Sequence, residues 1–540
     1  MKISKLSIRL STNHLTGVFS FLLIFLIATV TNFPIFKSWF GIIDDHMVIE
    51  QLQPLDHLSL FNLPQKLISD TEIGDFGSYP RYRPFYYLLK FILISVLGDW
   101  AGGYYIFRTF VQAFCCFLLF RILSPVSSKR LTSNRFQFLI DCTGLLISVG
   151  LLSLSSWADI SLRLGPSELE LTFGVLLTCY SLFHLLRLNT TDQFTLGHRH
   201  YLLLCVGVFI AVGSKENGLI AVIPLICMTI FHYKSVVKGS IVNLISLIFV
   251  ACQTLLVLSN TMIVIARGSD LYGTPRSLKI ILESLRINTT DSKFAVLIIA
   301  TGLLILLSQR NFNLAFGRLS IALFLDLLFL SEGVFYTGSP DALRYQHLTQ
   351  VCLLVVPSLA LFGLFEYFAD QDRGSHTKKF FAHALIICGL YLYLSPFENL
   401  EIARRVATSN MESTAIWRSE IDELTIDLQG SYASNIVIHL FNPDSDYERI
   451  YSTVQFVRQA GFGNSIFLKT WFDGVDNDLS RSLRTFSDNG LAKWDIQPIS
   501  SLILGKTSFC LMFGVTTDAL DPATLAYFSQ NCIMNFSINS

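Results

Sequence analysis

Two adjacent carboxylates and an imidazole, Asp44, Asp45 and His46, follow the first long apolar run of the chain, residues 15–36. A carboxylate can accept the proton of a hydroxyl nucleophile, or hold a divalent metal ion beside it. Charged residues are also ordinary flanks of a membrane helix. This stretch alone therefore does not separate a catalytic pair from an interfacial one.

Further charged residues stand at the ends of later apolar runs. They are Arg81 with Arg83, Asp159 with Arg163 and Glu168, Lys215 with Glu216, and Asp341 with Arg344. Burying a charge in a membrane costs about 3 kcal/mol, so charges at its boundaries are expected to be paired or functional. Arg and Lys bind phosphate, whereas a carboxylate activates a hydroxyl group. The mixture suits a substrate that carries a phosphate and reacts with an alcohol.

The composition indicates a helical membrane protein. Of the 540 residues, 52% are hydrophobic and 15% are charged, and the mean hydropathy is +0.52. Soluble domains carry about 25% charged residues. The net charge is zero, and no nucleic-acid-binding motif is present, so we expect membrane lipid and no nucleic acid among the partners.

Residues 1–396 divide into about eleven apolar runs that predict membrane helices. The predicted spans are 15–36, 103–123, 136–155, 168–187, 201–213, 218–233, 240–265, 294–308, 319–335, 346–368 and 380–396. Residues 84–97 are too short to span and predict a helix along the interface. Nine or thirteen spans are also compatible, because 84–97 and 201–233 are ambiguous. Basic residues before the first span predict a cytoplasmic N-terminus, which places the loop 37–102 outside.

Residues 397–540 predict an extracytoplasmic α/β domain of mixed polar and apolar composition. Helices are expected over 398–428 and 447–460, and strands over 435–441 and 465–471. Cys510 and Cys532 lie in this tail, and a disulfide between them is compatible with an oxidising compartment. No Cys/His spacing typical of a metal site occurs.

The order of the charged motifs resembles the GT-C superfamily of membrane glycosyltransferases, over roughly residues 15–370. Members such as the protein O-mannosyltransferases and aminoarabinose transferases use polyprenyl-phosphate sugars. The similar features are the acidic Asp44-Asp45 after the first span, Arg83-Pro84-Phe-Tyr-Tyr, Arg163 with Glu168, Gly213-Ser-Lys215-Glu216, and Arg344-Tyr345 before a late span. Glu168 stands where the family more often has Asp, and His46 is not a fixed feature of the pattern.

The resemblance implies a GT-C fold and an inverting sugar transfer to a glycan, lipid or protein acceptor outside the cytoplasm. Asp44 would be the catalytic base, assisted by Asp45 or Glu168. The substrate and its phosphate would be held by Arg81, Arg83, Arg163, Lys215, Glu216 and Arg344. Some relatives need a divalent ion and others do not, so Mg²⁺ or Mn²⁺ at Asp44 and Asp45 is an open expectation. We expect the protein in a bacterial inner (plasma) membrane.

Two other functions are compatible with the composition. A lipid or polysaccharide transporter or flippase should show inverted repeats and interrupted helices that meet at the membrane midplane. The sequence contains no such repeat, and its charges cluster toward one surface. The other alternative is a non-catalytic envelope-assembly protein that uses the tail as a binding module.

Overall fold

A computed structural model of the chain is mostly helical as far as Gly430 and ends in a β-sheet. The structure describes residues 4–41, 45–53, 58–77, 81–124, 134–161, 163–187, 193–232, 240–266, 278–310, 312–335, 346–371, 396–431, 435–441, 447–462, 466–470, 493–495, 508–513, 522 and 532–538.

Fifteen α-helices precede the tail in the described residues. They are α1 Ser4–Asn32, α2 His46–Gln51, α3 Leu63–Ser69, α4 Pro84–Leu97, α5 Ala101–Leu123, α6 Asn134–Gly150, α7 Ser155–Ser161, α8 Glu168–Arg187, α9 Gln193–Ser214, α10 Val222–His232, α11 Ile241–Ala266, α12 Leu278–Thr290, α13 Ser292–Arg310, α14 Phe312–Phe335 and α15 His347–Gln371. Short 3-10 helices cover Phe33–Lys37, Leu151–Ser153 and Glu216–Ala221.

Six of the described helices are long and apolar enough to cross a membrane. The segments are Gly17–Lys37, Ala101–Leu123, Glu168–Arg187, Ile241–Ala266, Ser292–Gln309 and His347–Leu364. Shorter apolar helices cover Pro84–Leu97, Asp141–Ser153 and Glu216–His232. The chain is thus a membrane protein with several helical spans. The predicted number of eleven is not confirmed, and the predicted span 380–396 lies outside the described residues.

Helices α8 and α9 pack backbone against backbone. A Cβ atom added to Gly174 would lie 2.6 Å from the backbone nitrogen of Ala211 and 2.8 Å from the carbonyl oxygen of Gly207. No side chain fits at these distances, and small residues commonly allow such close approach between membrane helices. The contact holds the second turn of α8 against the last two turns of α9.

The tail forms two helices, α16 Pro396–Gly430 and α17 Tyr447–Gln459, and a sheet of five strands. The strands are β1 Asn435–Leu440, β2 Ile466–Thr470, β3 Lys493–Asp495, β4 Ser508–Phe513 and β5 Cys532–Ile538. All four pairings are parallel, in the order β3-β2-β1-β4-β5. The order therefore reverses between β1 and β4, as in doubly wound α/β folds. The sequence predicted α16, α17, β1 and β2, but not the other three strands.

One face of this sheet carries an unusual polar cluster. His439 of β1 and Lys469 of β2 are buried there beside the disulfide between Cys510 and Cys532, which joins β4 to β5. Burial, and then the charge of Lys469, lowers the pKa of His439 to about 3, so the imidazole is neutral at pH 7. The sequence left it undecided whether Cys510 and Cys532 form a disulfide, and in the structure they do.

Replacing Cys510 with serine is expected to lower the free energy of unfolding by about 3 kcal/mol, because the disulfide closes a loop between residues 22 positions apart. Thermal unfolding of the full chain in detergent measures this loss. Cys252→Ser, at an exposed cysteine that forms no disulfide, is the control. Unfolded, non-reduced protein should show two fewer reactive thiols than its eleven cysteines, and eleven reactive thiols would contradict the pairing.

The tail packs on the loop 37–102. The rings of Trp39 and Phe456 stack with centroids 4.5 Å apart. Gln53 donates a hydrogen bond to Gln455 and accepts one of 3.1 Å from Nε of Arg458. One hydrophobic core continues from the loop into the sheet. The α/β segment therefore supports the loop that carries Asp45.

Candidate functional site

Three helix ends meet near the loop 37–102, and one of them, the start of α4, belongs to that loop. Arg83 precedes α4, which begins with Pro84, a residue whose fixed φ suits the first helical position. Glu168 begins α8, and Lys215 follows the end of α9. A Cβ atom added to Gly213 would lie 2.5 Å from Cβ of Phe85, so this glycine lets the start of α4 approach the end of α9.

The charged side chains at these helix ends form two buried ion pairs. Lys215 Nζ lies 2.5 Å from Oε1 of Glu168. Arg83 faces Glu216 with one guanidinium edge, at 3.3 Å from Nη2 to Oε2 and 3.4 Å from Nε to Oε1. All four residues are 9% exposed or less. We call Arg83, Glu168, Lys215 and Glu216 the ion-pair cluster.

Further carboxylates border the ion-pair cluster. Glu72 from the loop interacts with Arg83 and with Arg81. Burial raises the pKa of the Glu72 carboxyl group, and the charge of Arg83 opposes that rise. From the other side, Glu332 of α14 interacts with Lys215 and accepts a hydrogen bond from Thr349. The cluster and these two carboxylates together make up a charged network between the loop and the helix bundle.

Asp45 lies outside this network and is fully buried. Its Oδ2 accepts hydrogen bonds from the Gly41 amide at 2.7 Å and from the Tyr105 hydroxyl at 3.2 Å. Its Oδ1 accepts one from the Leu164 amide at 2.7 Å. The carboxylate thus joins the loop to α5 and to the segment before α8. Asp44 and the side chain of His46 lie outside the described residues.

The other predicted site residues have different positions. Arg81 is half-buried beside Glu72, and Arg163 is half-buried between α7 and α8. Arg344 and the side chain of Asp159 lie outside the described residues. The structure therefore brings four predicted residues into direct contact, those of the ion-pair cluster. It does not bring Asp45 into contact with them.

Lys90, Arg108 and Glu170 are buried charged residues of the helix bundle that were not predicted as site residues. Arg108 donates hydrogen bonds to the carbonyls of Ile160 and Pro166, at 2.9 and 3.2 Å, and lies 3.7 Å from Glu170. Lys90 lines the same small cavity as Arg108 and Glu170. Each stands inside an apolar run, and that position is itself a signal for a paired or functional charge.

A second set of hydrogen-bonded polar side chains, which the sequence did not indicate, connects α7, α8 and α15. His347 is fully buried, with Nδ1 at 2.7 Å from Ser156 Oγ and Nε2 at 3.0 Å from Thr172 Oγ1. Gln350 Oε1 accepts a hydrogen bond of 2.8 Å from the same Ser156 hydroxyl. His347 also interacts with Glu168. These hydrogen bonds therefore support α8 next to the ion-pair cluster.

The described residues do not bring three carboxylate groups together around one point. Within them, the one group of three or more ligand side chains that could share an ion is His439, Cys510 and Cys532. The two cysteines are joined in the disulfide and so offer no thiolate. Both oxygens of Asp45 accept hydrogen bonds. Asp44 lies outside the described residues, and a divalent ion at Asp44 and Asp45 stays a prediction.

No protein-family model matches this chain, and no curated protein matches it significantly. The functional interpretation therefore depends on the charged network and on the order of the motifs.

Proposed function

We propose that this chain is a membrane glycosyltransferase of the GT-C kind. It transfers a sugar, with inversion, from a polyprenyl-phosphate carrier to an acceptor on the extracytoplasmic side. The observation that carries the proposal is the ion-pair cluster, in which Lys215 and Arg83 are buried at the meeting point of three helix ends. Buried ion pairs seldom add to stability, because desolvation offsets their attraction. Stability therefore does not account for burying these four charges, whereas binding of a charged substrate does.

The paired state of the cluster suggests how a donor phosphate is bound. Arg83 and Glu216 face each other through two nitrogens and two oxygens. A phosphate offers the same two-oxygen edge as a carboxylate, so it can replace Glu216 on the guanidinium group. Lys215 then supplies a second charge to the departing phosphate. The polyprenyl chain would lie along the lipid-facing helices.

The acceptor is activated from the loop side. Asp44 takes the proton of an acceptor hydroxyl group, whose oxygen attacks the anomeric carbon of the sugar. The bond from that carbon to the phosphate oxygen breaks, and the electron pair leaves with the polyprenyl phosphate. Asp45 is assigned a positioning role, because its three hydrogen bonds fix the segment that carries Asp44.

The extracytoplasmic placement of the loop and tail has two supports. Lys2, Lys5 and Arg9 precede the first span, as expected for a cytoplasmic N-terminus. Cys510 and Cys532 form a disulfide, and disulfides persist in oxidising compartments. The bacterial inner membrane with an oxidising periplasm meets both conditions.

The proposal is tested by mass spectrometry of envelope glycans in a deletion strain. We expect glycans that lack a sugar residue, and restoration by the wild-type gene but not by Asp44→Asn. Asp75→Asn, at an exposed carboxylate of the same loop, is the matched control and should restore the glycans. Unchanged glycans in the deletion strain would overturn the proposal.

A further inference from the structure

A second cavity opens where the loop 37–102 meets the tail. Its volume is about 630 Å³, within the usual range of ligand sites, and none of its lining residues belongs to the ion-pair cluster. Its walls come from the Phe33–Lys37 turn, the turn between α4 and α5, and helices α16 and α17. The lining residues that matter here are Trp39, Asp99, Trp100, Arg418, Asp422 and Gln459.

The lining combines aromatic rings with hydrogen-bonding groups. Trp100 is 58% exposed, and Trp39 is half-buried. An indole ring offers a flat apolar face for the C–H groups of a sugar ring. Asp422 and Gln459 offer acceptors and donors for its hydroxyl groups. Aromatic faces beside carboxylate and amide groups suit a carbohydrate better than a purely apolar ligand.

The rings are held in place before any ligand binds. Trp39 lies between Phe456, at 4.5 Å between ring centroids, and the guanidinium group of Arg418, 5.7 Å from its ring. A Cβ atom added to Gly103 would lie 2.7 Å from the indole of Trp100. This glycine therefore lets Trp100 pack against the first turn of α5. A preorganised site loses less entropy on binding.

The charges around the cavity balance. Two cations, Lys37 and Arg418, and two carboxylates, Asp99 and Asp422, line it. Arg418 Nε lies 3.6 Å from Oδ2 of Asp422, one turn later on α16. A site with no excess of positive charge does not favour uronate, phosphate or sulfate groups. The lining therefore fits an uncharged sugar.

The cavity adjoins the segments that hold Asp45. Phe40 and Ala101 line it, and the Gly41 amide next to Phe40 donates to the Asp45 carboxylate. Tyr105, one helical turn after Ala101, donates to the same carboxylate. A ligand in the cavity would lie on the same segments that position the acidic loop.

We propose that this cavity binds a neutral oligosaccharide segment of the acceptor. The inference rests on the proposed transferase function, of which it names the acceptor class. Trp100 stacks on a sugar ring, Trp39 shapes the wall beside it, and Asp422 and Gln459 bind sugar hydroxyls. The site thereby holds the acceptor glycan beside the loop that carries Asp44.

Saccharide binding to the full chain in lipid nanodiscs, without any donor, tests the inference. The probes are neutral trisaccharides of glucose, galactose, mannose and N-acetylglucosamine, with trigalacturonate as the anionic comparison. We expect at least one neutral probe to bind in calorimetry. Trp100→Ala should weaken its binding about tenfold, as expected for a lost stacking contact. Asp422→Asn should weaken it as well, and Phe61→Ala, at a 99% exposed ring of the same loop, should not.

Three outcomes would overturn the inference. They are binding of no neutral probe, stronger binding of trigalacturonate, and neutral binding that Trp100→Ala leaves unchanged. In the first case, quenching by brominated lipids of the fluorescence that Trp100→Ala removes would identify the cavity as a lipid site. Because the assay contains no donor, its result is independent of the glycan analysis. If saccharides bind but the envelope glycans of the deletion strain are normal, the transferase function is wrong and the protein is a carbohydrate-binding protein.

Discussion

Replacing Lys215 with methionine is expected to abolish sugar transfer and to destabilise the protein by about 3–5 kcal/mol, the usual cost of breaking a buried pair. Glu168 would stay buried at 4% exposure without the cation 2.5 Å from it. Thermal unfolding in nanodiscs measures the stability, and glycan analysis measures the transfer. The loss of transfer alone does not separate a structural from a functional role, because the variant is also destabilised.

The double variant Lys215→Met with Glu168→Gln makes that separation. It removes both charges of the pair, so no uncompensated charge is buried, and most of the stability should return. Transfer should stay absent, because the donor phosphate has lost the Lys215 charge. Arg286→Met, at an exposed pair with Glu283, is the control and should leave the unfolding midpoint unchanged. A stable double variant that still transfers sugar would show that the pair is only structural.

Asp45→Asn is expected to destabilise the protein by about 2–3 kcal/mol, whereas Asp44→Asn should leave stability unchanged and abolish transfer. The carboxylate of Asp45 accepts three hydrogen bonds at full burial. An asparagine in its place turns an NH₂ group toward at least one of these donors, and a buried donor without an acceptor costs about 1–3 kcal/mol. Asp44 is assigned to the proton transfer, which an amide cannot perform.

The unfolding midpoint and the glycan output of both variants decide between the roles. If Asp45→Asn folds with wild-type stability and yet loses transfer, Asp45 is the acceptor-activating residue and the positioning role is wrong. If Asp44→Asn retains transfer, the base lies elsewhere on the loop. Asp75→Asn serves again as the control for an acidic residue of the same loop.

Several helices were predicted correctly from local sequence patterns. The apolar run 84–97 predicted α4 with the bounds that the structure has, because proline at the start and glycine after the end mark a helix in the sequence itself. The strands β3, β4 and β5 were missed, since short buried strands in a mixed segment have no distinct periodicity. The charges of Lys90, Arg108 and Glu170 were visible in the sequence, but their partners were not.

The sequence by itself determined the membrane class, most helix positions and the positions of the charged motifs, because hydropathy and helix signals are properties of neighbouring residues. Only the tertiary structure decided which charges meet. Arg83 pairs with Glu216 across 133 positions, and Lys215 with Glu168 across 47. The sequence also placed Asp45 in an acidic pair, and only the structure gave its burial and its hydrogen bonds to Gly41, Tyr105 and Leu164. Pairing and desolvation depend on which surfaces the fold brings together, and one sequence does not contain that information in local form.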